Sequence, residues 1–296
     1  MLFVSFSCSF VDQGIGFFSP VSPVVLSPLL QKGVQWKQEK MKIMIDIEYV
    51  KEVAVEAGKR ALAMYSTMQT EFKADSSYVT NIDRATEQFI RERLELKYPD
   101  FAFLGEEYGR HGDKNAPLWA VDPIDGTTNM VFGIPVWGVS IGLVVEGVSV
   151  AGVFYMPRTS ELFWGERGKG SFCDGVRLQA IGREGIHLED TLGFTSAALK
   201  HLDTKRLTGR LRCLGSIAAD IAYTARGTMT CLIGMHEGAY DMAATLCIAH
   251  EAGCIAEYLT GEPLDMNTIL KDGKTLAPFV IAPPQTVQMV RELLQD

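Results

Sequence analysis

The run Asp122-Pro-Ile-Asp-Gly-Thr-Thr-Asn129 puts two carboxylates, a proline, a glycine and two hydroxyl side chains into eight consecutive positions. Carboxylate oxygens are hard ligands suited to Mg²⁺ or Ca²⁺. Pro123 fixes its own φ and biases Asp122 toward extended backbone, which holds Asp122 and Asp125 in a defined relation. Gly126 lets the backbone come close to an anion. If a helix starts at residues 126–129, its N–H groups and hydroxyls make a cradle for phosphate; the plainer alternative is an ordinary turn. The chemistry written here is that of a metal and a phosphate side by side.

Other elements must bring partners to this run. The apolar stretch 118–121 reads as a buried strand that delivers Asp122 at its carboxyl end, the edge where ligands collect in open α/β sheets. A helix over 83–97, with Ala85, Phe89, Ile90 and Leu94 on one face, starts at Asp83. A short strand over 101–105 delivers Glu106 and Glu107, and a helix over 241–251 opens at Asp241. Upstream, apolar residues at three- and four-residue steps predict a helix over 47–68. Runs 136–145, 148–156 and 161–164 form an antiparallel meander. Beyond residue 185 strands at 191–195, 211–214, 229–235, 255–258 and 279–282 alternate with helices at 216–225, 241–251 and 286–294, an α/β pattern.

Taken singly, Asp83 and Asp241 would be helix caps, and Glu106 and Glu107 solvated surface residues. Together, Asp83, Glu106, Asp122, Asp125 and Asp241 all sit where elements begin or end, and no His or Cys cluster competes, so Mg²⁺ fits better than zinc. Carboxylates beside a phosphate cradle imply a metal-assisted phosphatase, in which two cations about 3.5–4 Å apart clamp the attacking and leaving oxygens. No protein nucleophile is needed. The Thr127 hydroxyl is placed to hold a metal-bound water while Glu106 accepts its proton.

The bulk of the chain sets limits. Its 296 residues are 47% hydrophobic and 22% charged, ordinary material for a folded protein, and the net charge of -8 argues against a general nucleic-acid or anionic-membrane binder. Six cysteines without a CxxC pair point to a reducing cytosol. Residues 1–43 differ from the rest: residues 1–30 contain no Lys or Arg, and Asp12 interrupts the only apolar run resembling a signal peptide. We expect this stretch to be disordered or a mis-assigned extension, with the natural start at Met41 or Met44. An N-terminal α+β subdomain is expected over 44–185 and a C-terminal α/β subdomain over 186–296, joined near Gly182 to Gly185.

Gly105-Glu-Glu107, the 122–129 run, and Tyr240-Asp-Met-Ala-Ala244 followed by Glu251-Ala-Gly253 resemble, in order and spacing, the motifs of the inositol monophosphatase family, lithium-sensitive and magnesium-dependent phosphatases. The similarity covers about residues 44–296. It implies an αβαβα sandwich, an α/β fold of mixed, largely antiparallel sheets, in a cytoplasmic homodimer that acts on a small phosphate ester with two or three Mg²⁺ ions. It further implies metal ligands at Glu106, Asp122, Asp125, Asp241 and the Ile124 carbonyl. Phosphate and substrate would rest on Gly126, Thr127 and Asp241, and Asp83 would pair with Thr127. Inositol 1-phosphate is the default substrate by resemblance; histidinol phosphate, fructose 1,6-bisphosphate and a partner-binding regulatory role are the alternatives. The departures lie at the alcohol end. Tyr240 replaces the usual Trp, Cys254 a Gly, and Ile217 a small Ala. Gly234 stands where inositol-preferring members carry a polyol-binding Glu, with Glu237 three residues on as a stand-in.

Overall fold

The computed structural model describes residues 45–295, so the expected extension at 1–43 lies outside the described residues. Helix α1 (Ile47–Met64) starts at Asp46, whose side chain accepts the Tyr49 N–H, and buries Val50, Val53, Ala54, Ala57 and Ala61 along one face. It stops short of the expected Met68, tightening into a 3₁₀ turn at Tyr65–Thr67. A hairpin follows, β1 (Thr70–Phe72) and β2 (Tyr78–Thr80), which the apolar pattern did not predict because β1 is exposed throughout. Helix α2 (Asn81–Lys97) begins two residues ahead of Asp83, with Thr80 as its N-cap.

Eight strands then form the first sheet: β3 (Ala102–Gly105), β4 (Gly109–His111), β5 (Leu118–Asp125), β6 (Gly138–Val145), β7 (Val148–Met156), β8 (Glu161–Glu166), β9 (Gly170–Cys173) and β10 (Val176–Arg177). Their order is β10-β9-β8-β7-β6-β5-β3-β4, and only the β3–β5 pair is parallel. The expected meander is thus the greater part of the sheet. Strand β5 continues beyond residue 121, so Asp122 and Asp125 lie within its last four residues. Short helix α3 (Thr127–Val131) follows β5 directly.

The second sheet takes the later part of the chain. It has the order β12-β11-β13-β15-β14, with β11 (Thr191–Phe194), β12 (Arg210–Arg212) and β13 (Cys231–Gly234) parallel and β14 (Ile255–Tyr258) and β15 (Phe279–Ala282) antiparallel. Helices α4 (Ser196–His201), α5 (Ile217–Ala225), α6 (Ala239–Glu251), α7 (Met266–Asp272) and α8 (Pro284–Gln295) complete it. Asp241 therefore sits in the first turn of α6 instead of opening it.

Packing gives five layers. Helices α1 and α2 cover one face of the first sheet, α6 and α5 fill the space between the sheets, and α8 covers the outer face of the second. Alternation along β15 shows why: Phe279 and Ile281 point into the core shared with α5 and α6, while Val280 and Ala282 point into the core beneath α8. Helix α6 lies so close to β7 that a side chain at Gly152 would overlap the Ala244 backbone. That contact fixes where the first turn of α6, and so Asp241, meets the end of β5. No helix among the described residues is long and apolar enough to cross a membrane.

Candidate metal and phosphate site

Residues three apart on a regular strand face opposite sides, so Asp122 and Asp125 need an irregularity to point the same way. Strand β5 has one. Asp122 pairs with Ser140 and Asp125 with Gly138, so three steps on β5 match two on β6, the signature of a bulge. Pro123 falls inside it, where its missing N–H costs no ladder bond. The Ile124 N–H turns back to Asp122 Oδ1 at 2.9 Å.

Asp125 is clasped from the second half of the chain: the Ser216 hydroxyl and the Ala218 N–H, the latter at 3.0 Å, both donate to its Oδ2 at the start of α5. Asp241 accepts the Gly238 N–H at 2.6 Å. One carboxylate oxygen from each of Asp122, Asp125 and Asp241 lies within 4.8 Å of the others. Burial pushes all three carboxyls above the usual range, and Glu106 and the neighbouring aspartates push Asp122 and Asp241 further; for Asp125 the Ser216 and Ala218 hydrogen bonds pull the other way. A buried all-oxygen cluster whose members raise one another's affinity for protons is one that a cation would relieve. The residues present fit a hard metal ion.

Glu106 lies near enough to raise the Asp122 carboxyl but outside the close triad. It is held instead by Lys73, whose Nζ donates to Glu106 Oε1 at 2.8 Å and to Glu107 Oε1 at 2.6 Å. Glu107 is not the solvated residue of the plainer expectation, since its side chain is 7% exposed. The backbone beyond β3 is fixed by Glu87 of α2, which accepts the Glu107 and Tyr108 N–H groups at 2.7 and 3.0 Å. Sequence reasoning overlooked Glu87, although an acid one turn after Asp83 on a buried helix face was a visible signal.

Asp83 does both jobs that the sequence posed as alternatives. Its Oδ2 takes the Thr80 N–H at 2.9 Å and caps α2, while its Oδ1 accepts the Thr127 hydroxyl at 2.7 Å. Thr127 Oγ1 is also 3.0 Å from the Ile124 carbonyl, so its single hydrogen has two acceptors in reach. Burial raises the Asp83 carboxyl, and the hydroxyls of Thr80 and Thr127 oppose that. Gly126 caps α3 at φ 94°, and a Cβ there would lie 3.0 Å from the Val136 carbonyl oxygen. Asn129 spends both amide hydrogens on the Val136 and Leu214 carbonyls, at 2.6 and 2.7 Å, and so ties the 122–129 run to the segment that delivers Ser216.

Comparison with known proteins places the chain among phosphatases of one family. The model of the inositol monophosphatase family matches residues 43–286. An inositol-1-monophosphatase of Mesorhizobium japonicum is 34% identical over 244 residues, covering 76% of this chain and 90% of that protein. A histidinol-phosphatase of Chlorobaculum parvum is 32% identical over 227 residues, covering 72% and 86%. The crystal structure of the extragenic suppressor protein suhB from Bartonella henselae superposes with a TM-score of 0.75 at 28% identity, covering 84% of this chain and 98% of that one. On the match of the family model over residues 43–286 and on these relatives, the chain belongs to the inositol monophosphatase family and is a phosphoric monoester hydrolase.

Proposed function

We propose that the protein is a Mg²⁺-dependent phosphomonoesterase that cleaves a small phosphate ester with water as nucleophile, in the cytoplasm and as a homodimer. The observation that carries this is the convergence of Asp122, Asp125 and Asp241 within 4.8 Å beside a glycine-hydroxyl turn. Glu106, Asp122, Asp125, Asp241 and the Ile124 carbonyl would hold two or three Mg²⁺ ions. Bound there, the ions would supply Lewis-acid activation of the phosphate and lower the pKa of water.

The chain's own groups do the rest. The phosphate rests against the Gly126 turn and the Thr127 amide, where the chain passes from β5 into α3. Asp83 draws the Thr127 hydrogen to itself, which turns the hydroxyl's lone pairs outward to accept a hydrogen from the attacking water. Glu106 takes the proton that the water gives up. Asp241, on the other half of the chain, borders the leaving alcohol.

Inositol 1-phosphate is the default substrate from family membership. Histidinol phosphate is the second reading, supported by the 32% identity to the histidinol-phosphatase of Chlorobaculum parvum. Phosphate release from inositol 1-phosphate, histidinol phosphate and fructose 1,6-bisphosphate, measured with and without Mg²⁺, tests the proposal, with lithium expected to inhibit. Release that persists in Asp122→Asn, or that ignores Mg²⁺, would overturn the metal assignment, and no release from any ester would leave the partner-binding role.

A further inference from the structure

Gly234 ends β13 directly opposite Phe279 of β15. A Cβ on Gly234 would run into the Phe279 ring, which is fully buried, so no carboxylate can stand at 234 without repacking the core. An acid, Glu237, stands three residues on, in the loop between β13 and α6. His236 adopts φ 69°, turning the chain, and Glu237 is then pinned through its backbone: its N–H donates to Thr275 Oγ1 at 3.0 Å and its carbonyl accepts the Thr275 N–H at 2.9 Å.

The Glu237 side chain is half-buried and hydrogen-bonds Thr195, whose hydroxyl also accepts the Met235 N–H at 3.2 Å. The charges that act on it most strongly are all carboxylates: Asp241, Asp125 and Asp220. Asp220 rides on α5, one turn after the Ser216 that clasps Asp125. It is 1% exposed, and its Oδ1 has no hydrogen-bond partner. Burial and the nearby Asp125 push its carboxyl up to about 8. A buried, unpartnered carboxyl is costly, and a cation brought beside it removes the cost.

We propose that Glu237, backed by Asp220, forms the leaving-group subsite and selects phosphate monoesters of amino alcohols, whose ammonium group it receives, over neutral polyol esters and sugar bisphosphates. The inference rests on the phosphatase reading above and narrows its substrate class. An ammonium forms charge-assisted hydrogen bonds with the Glu237 carboxylate, whereas the second phosphate of a sugar bisphosphate meets like charge. A site built for a charged donor rejects the analogue that lacks it.

The test compares the Mg²⁺-loaded protein on L-histidinol phosphate, its deamino analogue and inositol 1-phosphate, following phosphate release. The amine ester should exceed its deamino analogue in kcat/KM by at least about tenfold. In Glu237→Gln that ratio should collapse toward unity, mainly through KM, and Glu237→Asp should retain part of it. Comparing the two esters on the unaltered protein needs no variant to fold. Equal turnover of both, or a ratio that survives in Glu237→Gln, overturns the subsite and leaves the phosphatase reading standing. No release from any ester overturns that reading, and the subsite with it.

Discussion

The two ends of the candidate site are built differently. At the phosphate end one short run supplies nearly everything: the β5 bulge aims Asp122 and Asp125, Gly126 turns the chain, and Thr127 meets Asp83. At the proposed alcohol end the groups come from separate elements: Asp220 from α5, Glu237 from the β13–α6 loop, and Thr195 just past β11. A contiguous site has its geometry fixed by local backbone, so changing one residue disturbs the chemistry itself. A dispersed site can trade one acid for another while the chemistry stays put, as the proposed use of Glu237 with Gly234 upstream would illustrate. Substitutions at the phosphate end should therefore lower turnover of every ester alike, and those at the alcohol end should change which ester is preferred.

The largest effect should come from Asp125→Asn, which removes charge from the centre of the triad and should lower kcat by about 10³-fold with every ester. It should also weaken a stability trend. Because the folded-state pKa values of Asp122, Asp125 and Asp241 are raised, the metal-free fold gains protons that the unfolded chain holds less tightly. Their contribution is favourable below the ordinary carboxylate range and is lost as pH rises through the raised values. The metal-free protein should therefore melt several degrees lower at pH 8 than at pH 5 through this cluster. Mg²⁺ or Asp125→Asn should shrink that difference, and an unchanged difference in thermal melts would mean the carboxylates do not repel.

Next is Thr127→Val, which keeps the shape and deletes the hydroxyl between Asp83 and the water. A loss in kcat of about 10²-fold is expected, uniform across esters, with Thr127→Ser restoring most of it. If the loss instead appears in KM for one ester alone, Thr127 belongs to the alcohol end and the contrast between the two ends fails.

This contrast also explains what was legible in the sequence. In the 122–129 run the two carboxylates, the restraint from Pro123 and the Gly126 turn were legible, but the strand was read as ending at residue 121, so the bulge that turns Asp125 to the side of Asp122 was not. The apolar periods of α2, β7 and β15 gave the layers. What stayed hidden was long-range. Ser216 caps α5 as any serine could, and nothing local says that its hydroxyl reaches Asp125, 91 positions away. Lys73 sits in an exposed hairpin without an apolar pattern, and its pairing with Glu106 and Glu107 follows only from the fold. Asp83 and Asp241 read as caps because they are caps, each with its second role invisible from its own helix.

Ser216→Ala probes the seam between the two ends. The hydroxyl and the Ala218 N–H share Asp125 Oδ2, so losing one donor leaves the other. Removing a hydrogen bond to a charged group costs about 1.5–3 kcal/mol. With Ala218 still in place the lower bound applies, and kcat/KM should fall about tenfold for every ester. A fall confined to amino alcohol esters would move Ser216 into the leaving-group subsite.

The smallest effect is expected at Lys73, and its sign is informative. In Lys73→Met the ammonium that binds Glu106 Oε1 and Glu107 Oε1 is gone, and both carboxylates are released toward the candidate site. Burial raises the Glu107 carboxyl and Lys73 opposes that, so without the lysine Glu107 takes up a proton more readily, while Glu106 is freed to meet a cation. The Mg²⁺ concentration for half-maximal phosphate release should drop a few-fold, the scale expected for one partly exposed ion pair. The amine-to-deamino preference should not move, because Lys73 stands on the phosphate side. A rise in the Mg²⁺ requirement would instead make Lys73 a support for the metal-bound state, one that holds Glu106 in place and does not compete for it.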